Sequence, residues 1–302
     1  MNLWYSEHLT LIWQTLIAIP LALSVQIALR SGLFSFASIG FYGIGGYAVG
    51  ILTLHGWPPM VALLLVCTAS VLIGYVISSA VVHLRGLYLG MVTFAFDLIL
   101  TVVATNGGEL TGGALGLIGI PIGVSTLGLV IATCLVLALA HRTERYAVGR
   151  SIAGMEASDQ LAVSVGVDVR KQKRLIFALS AGLGALSGSL FALAFGTMQP
   201  TTAGFSLVIL ALTMAIIGGT AAWPGAVIGA AIITWLPTFT SYVGSYQNLV
   251  YGVVLVAVVM YAPDGILGLL SWIKSKVKNL SGQAFRPPSS DLKGRDVVSE
   301  QR

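Results

Sequence analysis

The chain predicts an all-α polytopic membrane protein with about nine transmembrane helices, its N-terminus outside and its C-terminus in the cytoplasm. Three observations carry that expectation. Only 9% of the 302 residues are charged and 56% are hydrophobic, whereas a soluble domain is about one-quarter charged. The apolar residues fall in runs long enough to cross the hydrocarbon, which takes about 20 residues as a helix. Lys and Arg are confined to four places along the chain.

In chain order the runs are Leu9–Leu29, Phe34–Leu54, Met60–Val82, Leu87–Ala104, Val124–Ala140, Leu175–Phe195, Phe205–Gly219, Gly225–Tyr242 and Leu249–Tyr261. The last three are short for a full crossing. Backbone in lipid must satisfy its own hydrogen bonds, and the alternating pattern of a membrane barrel is absent, so the runs are expected to be helices. The first ten residues, MNLWYSEHLT, hold no Lys or Arg, so no cleaved signal peptide is expected.

The sixteen Lys and Arg set the orientation. Arg30 follows the first run and Arg85 the third; seven lie between Arg142 and Arg174, and seven between Lys274 and Arg302. Cytoplasmic loops collect such residues. Nine spans with the N-terminus outside bring all four groups to the cytoplasmic side. The net charge of +5 is thus a topology signal, and no nucleic-acid partner is expected. The organisation is a transmembrane domain over residues 1–273, with a cytoplasmic loop at 142–174, then a disordered basic tail at 274–302 whose start can meet anionic lipid headgroups.

Within the spans, Cys67 and Cys134 sit in apolar runs and form no disulfide or metal pattern. His8, His55, His83 and His141 lie at predicted membrane edges without ligand spacing. No phosphate-binding G-x-x-x-x-G-K-[ST] loop occurs, and no catalytic or metal-ligating set is expected. Glycines four apart recur at Gly46/Gly50, Gly184/Gly188 and Gly225/Gly229, a spacing that lets helices approach closely. The denser cluster Gly40, Gly43, Gly45, Gly46 and Gly50 predicts a helix that becomes irregular where it lines a cavity. Asp97 lies about 18 Å along its helix from Arg85, near mid-membrane. An acid there marks a pathway or a polar partner. Thr93, one turn earlier, is expected on the same face.

The segment Gly149–Arg174 interrupts the apolar chain. Ser158 is a candidate N-cap, Asp159 lies near the positive end of the helix dipole, and Gly166 is a candidate C-terminal cap. Leu161 and Val165 share one face, with Ala162 beside them. Such a short one-faced helix fits a partner's groove; a solvated loop is the other reading.

Six blocks in order resemble the permease family of branched-chain amino-acid (Liv-type) ABC importers, in its M-type branch, from about Gly32 to Gly268. They are GLFSFASIGFYGIGGYA, where Gly32, Ser35, Phe41, Gly43, Ile44, Gly45 and Tyr47 match and Ser38 stands where the family has His or Gln; LRGLYLGMVTFAF; LTGGALGLIGIP; the Gly149–Arg174 segment; IGGTAAWPGAVIGA; and APDGILG. After Phe96 the family acid is shifted by one position, to Asp97, and a following Arg is missing. The proline of the fifth block, Pro224, comes two positions early.

The resemblance implies the ABC importer permease fold and a non-catalytic transport subunit of a bacterial cytoplasmic (inner) membrane. It implies cargo of branched-chain or related small amino acids, with urea, amides and small aromatic acids as the other choice. It implies a pathway near Ser38, Gly43, Gly45, Gly46, Thr93 and Asp97, and an outer loop with Thr111, Gly112, Gly113 and Gly116 that meets a periplasmic or lipid-anchored substrate-binding protein. The segment with Gly149, Arg150, Ile152, Glu156, Ser158, Asp159, Leu161, Ala162, Val165 and Gly166 would dock two ATPase subunits, which hold the ATP and Mg; no cofactor is expected in this chain. An H-type permease, or a second copy of the chain, would complete the pathway. An ATP-independent secondary transporter or channel would need ionisable residues in several spans, and Asp97 is the only one here.

Overall fold

The computed structural model describes residues 2–84, 86–145, 168–220 and 222–240, together with the single residues 149, 154, 163, 164, 166, 252, 256, 265 and 268. Its helices follow the apolar runs: α1 (Asn2–Arg30), α2 (Ala37–Leu54), α3 (Pro59–Val81), α4 (Leu87–Asn106), α5 (Thr126–Arg145), α6 (Val169–Phe195), α7 (Phe205–Gly218) and α8 (Pro224–Thr240). Each coincides with one of the first eight expected spans. Among the described residues, seven helical segments are long and apolar enough to cross a membrane, α7 together with the 3-10 turn Pro200–Ala203 before it, while α8 is shorter. The ninth expected span, Leu249–Tyr261, and the tail, 274–302, lie outside the described residues.

Two expectations about boundaries change. Helices α5 and α6 reach into the expected 142–174 loop, to Arg145 and back to Val169. Arg142, near the end of α5, lies toward the negative end of its dipole, and the Asp168 carboxylate caps α6 by accepting the Lys171 N–H at 3.1 Å. Nor is the chain wholly helical: Leu117–Ile118 (β1) pairs antiparallel with Thr197–Met198 (β2), clipping two connections together at one end of the bundle.

Helix α6 is the hub, packed on α1, α2 and α3; α4 lies on α2, α5 on α1, and the α7–α8 pair on α1. Close approach explains the glycines. A Cβ on Gly184 or Gly188 would run into the carbonyl oxygens of Ser38 and Tyr42, and one on Gly45 into that of Ala185. With these three positions bare, α2 and α6 touch backbone to backbone. The expected irregularity of the glycine-rich helix is not found: α2 is continuous from Ala37 to Leu54, because its glycines are spent on contact with neighbours. Serines on α6 add polar ties. Ser180 donates to the Ser24 carbonyl at 2.8 Å, Ser187 to Ile17 at 2.6 Å and Ser189 to Gly45 at 3.1 Å.

The charges sort by end. Gly32, His83, Leu84, Gly86, Arg170 and Lys173 share one polar groove, so the α1–α2 and α3–α4 links meet the start of α6. The end of α5 joins them through the Arg30–Glu144 ion pair. All described Lys and Arg lie at this end, and the β1–β2 clip lies at the other. The chain is a multi-pass membrane protein.

Candidate translocation cavity and coupling end

Asp97 is the central polar feature of the bundle. It lies midway along α4, on the face that meets α2, and is 1% exposed. Among the described residues, neither carboxyl oxygen has a hydrogen-bond partner. It borders a cavity of about 120 Å³ whose other walls include Gly40, Gly43 and Tyr47 of α2, Thr101 of α4, and Pro200 and Ala203 of the turn before α7. The Tyr47 hydroxyl is also buried without a partner among the described residues. Two unpartnered polar groups therefore border one largely apolar space. Buried polar groups almost always find partners, so this pair is unusual, and an acid inside a membrane marks function by default.

Of the expected pathway residues, the structure brings Gly43 and Asp97 to this cavity. The other four do not line it. Thr93 pins α4 to the start of α2: its hydroxyl accepts the Phe36 N–H at 3.0 Å and donates to the Leu89 carbonyl at 2.8 Å. It shares the buried face of α4 with Asp97, as expected, one turn away. Ser38 is buried under Gly184, Gly45 against Ala185 and Gly46 against Met198.

The expected outer loop is folded onto the same cavity. Thr111 borders it and donates to the Ala104 carbonyl at 2.7 Å, closing the end of α4. Gly112, Gly113 and Gly116 have φ of +73°, +60° and +75°, a region costly for other residues. A side chain on Gly116 would strike the Met198 carbonyl. The turn thus presses against β2, and Leu110, Leu115 and Ile118 project outward, each well over half exposed.

At the basic end, Gly149 and Gly166 are the expected docking residues within the described set. Gly166 has φ +83° and donates to the Val163 carbonyl at 3.0 Å, with Val163 and Ser164 helical. Gly149 lies against the backbone of Glu144. Arg150, Ile152, Glu156, Ser158, Asp159, Leu161, Ala162 and Val165 lie outside the described residues.

Sequence reasoning missed a polar cluster here. Glu144 Oε1 accepts from Arg30 Nη1 and from the Trp223 backbone N–H, the latter at 2.9 Å. Gln26, 2% exposed, donates to the Gly219 and Ala222 carbonyls at 2.7 and 2.8 Å. The signals were present: Glu144 is the single acid among the basic residues Arg142 to Arg150, and Gln26 is a long polar side chain in an apolar run. Their partners lie 79 to 196 residues away, beyond any local pattern.

The family described as "Branched-chain amino acid transport system / permease component" matches residues 8–259. Similar proteins include the high-affinity branched-chain amino acid transport system permease protein LivM of Salmonella typhimurium, 26% identical over 303 residues, covering 89% of this chain and 70% of that one. LivM of Escherichia coli is 27% identical over 290 residues, covering 83% and 67%. LivH of Salmonella typhimurium is 29% identical over 123 residues, covering 40% of each. No solved structure gave a significant match.

Proposed function

The chain belongs to the family of branched-chain amino acid transport system permease components, and from that premise we propose how it works as the membrane subunit of an ATP-driven importer. It sits in the bacterial cytoplasmic membrane with nine spans, the N-terminus outside and the basic end in the cytoplasm. The asymmetry of Lys and Arg between the two ends supports that orientation. Its cargo is a branched-chain or related small amino acid.

The observation that carries the mechanism is the sealed, unpartnered Asp97 carboxyl beside a mid-bundle cavity. The cargo passes through this cavity. Its ammonium group reaches Asp97, and its side chain lies on the apolar walls. Both carboxyl oxygens are closed off in this conformation, so access requires α2, α4 and the turn before α7 to move apart. ATP closure in partner subunits supplies that movement, as gating motions do elsewhere. A partner permease, related to the LivH type or a second copy of this chain, completes the path. The folded Thr111–Gly116 turn, with exposed Leu110, Leu115 and Ile118, receives a substrate-binding protein.

The ATPase subunits dock on the 149–168 segment. The helical Val163–Ser164 and the left-handed Gly166 support a short capped helix there. The test is copurification. The wild-type chain retains its ATPase subunits in detergent, and Leu161→Asp, which puts a charge on the apolar face, releases them. Equal retention by the variant would refute the docking reading.

A further inference from the structure

Whatever moves the docking segment must move something that lines the cavity. The segment begins four residues after the end of α5 in the chain, Gly149 lies against the Glu144 backbone, and Glu144 is in the last turn of that helix. The same oxygen, Oε1, holds Arg30 at the end of α1 and the Trp223 N–H at the start of α8. The Arg30 and Glu144 side chains are 18% and 27% exposed, so water screens the pair less than it would on the surface. Glu144 therefore joins α1, α5 and the turn between α7 and α8.

That turn is held elsewhere too. Gln26 donates to two of its carbonyls. His141, one helical turn before Glu144 on α5, packs edge-on against Trp223 at 5.8 Å. Gly265 comes so close that any side chain on it would strike the Gly219 backbone. The turn is thus a fixed point at which four parts of the chain meet. Beside it a cavity of about 120 Å³, bordered by Gln26, Arg30, Thr143, Glu144, Leu183 and Trp223, leaves room for the parts to shift.

From the turn, α7 runs the other way. Its 14 residues make a rod of about 21 Å. The 3-10 turn Pro200–Ala203 immediately precedes it, and both Pro200 and Ala203 line the Asp97 cavity. A displacement of the α5 end can therefore reach the cavity wall through two joints and one rigid helix.

We propose that the Arg30–Glu144–Trp223 cluster is the joint that passes movement of the docking segment through α7 to the Asp97 cavity. Arg30 and Glu144 act as positioning residues that couple transport to ATP hydrolysis. The assignment rests on the ATPase-docking reading above, and the experiment separates the two.

The complete complex, permeases, ATPase subunits and binding protein, is reconstituted in proteoliposomes. Uptake of radiolabelled leucine and phosphate release are measured together. Glu144→Gln keeps an acceptor for the Trp223 N–H and removes the ion pair. It is expected to lower leucine taken up per ATP hydrolysed by roughly 3- to 30-fold, with the ATPase subunits still bound and the unfolding temperature near wild type. Arg30→Glu and Glu144→Arg singly should uncouple more, and the two together should recover part of the ratio, which a general loss of stability would not. An unchanged ratio in Glu144→Gln, or a double variant no better than the singles, overturns the joint. Loss of ATPase subunits from the Glu144→Gln complex overturns it too, because the cluster would then belong to the docking surface. If Leu161→Asp keeps its ATPase subunits while the Glu144 variants uncouple, the docking reading fails and the joint as proposed falls with it, although the cluster still couples transport to ATP hydrolysis by another input. If Leu161→Asp releases them and Glu144→Gln leaves the ratio unchanged, the docking reading stands and the joint alone fails.

Discussion

Replacing Asp97 with leucine should make the protein more stable and stop it working. The Asp97 carboxyl is 1% exposed, and neither oxygen has a partner among the described residues. A buried polar group left unsatisfied costs about 1–3 kcal/mol. Asp97→Leu removes that cost, and the adjacent cavity of about 120 Å³ takes up the larger side chain without overpacking. A gain of about 2 kcal/mol corresponds to a rise of roughly 3 °C in unfolding temperature for 302 residues, at about 2.1 cal/mol/K of unfolding entropy per residue. The cargo would meanwhile lose a charge-assisted hydrogen bond of about 1.5–3 kcal/mol, so uptake should fall by roughly tenfold or more. Thermal unfolding in detergent, followed by tryptophan fluorescence, gives the first number; ATP-dependent leucine uptake in proteoliposomes gives the second. A fall of several degrees with uptake intact would refute the reasoning, since Asp97 would then be a structural group with a partner of its own.

Three further outcomes follow from the packing. Gly188→Ala should destabilise by about 1–3 kcal/mol, because its Cβ would strike the Tyr42 carbonyl; Gly252→Ala, with open space around it, should leave the unfolding temperature near wild type. Gln26→Leu loses two hydrogen bonds to the α7–α8 turn, about 1 kcal/mol each, and should lower the unfolding temperature by several degrees. Gly116→Ala forces a side chain into a left-handed position against β2. It should reduce uptake driven by the binding protein more than basal ATP hydrolysis, read by measuring both with and without that protein.

Much of the bundle was legible because hydrocarbon thickness imposes a length on apolar runs. Eight expected spans coincide with helices, and Asp97 stood out because charge is so scarce around it. The helix ends were less legible. Arg142, Arg145 and Arg170 read as loop residues by polarity, yet they lie on α5 and α6, which continue past the apolar runs. The glycines of α2 misled in a physical way: the same residue that permits irregular backbone also permits close contact, and the partner decides which. Here the partners are Ala185 on α6 and Met198 on β2, distant in sequence. Tyr47, Pro200 and Ala203 were missed at the cavity for the same reason. The Glu144 joint is built from Arg30 and Trp223, 114 and 79 residues away, and no periodicity links such positions.

The central claim is that this chain moves cargo only when ATPase subunits drive it. The direct measurement is leucine uptake into proteoliposomes holding the chain with its partner permease, its ATPase subunits and a saturating substrate-binding protein, with ATP inside or absent. Uptake that requires ATP and disappears without the ATPase subunits is the predicted result. Uptake by the permease alone, at a rate indifferent to ATP, would contradict the account and point to a self-sufficient transporter.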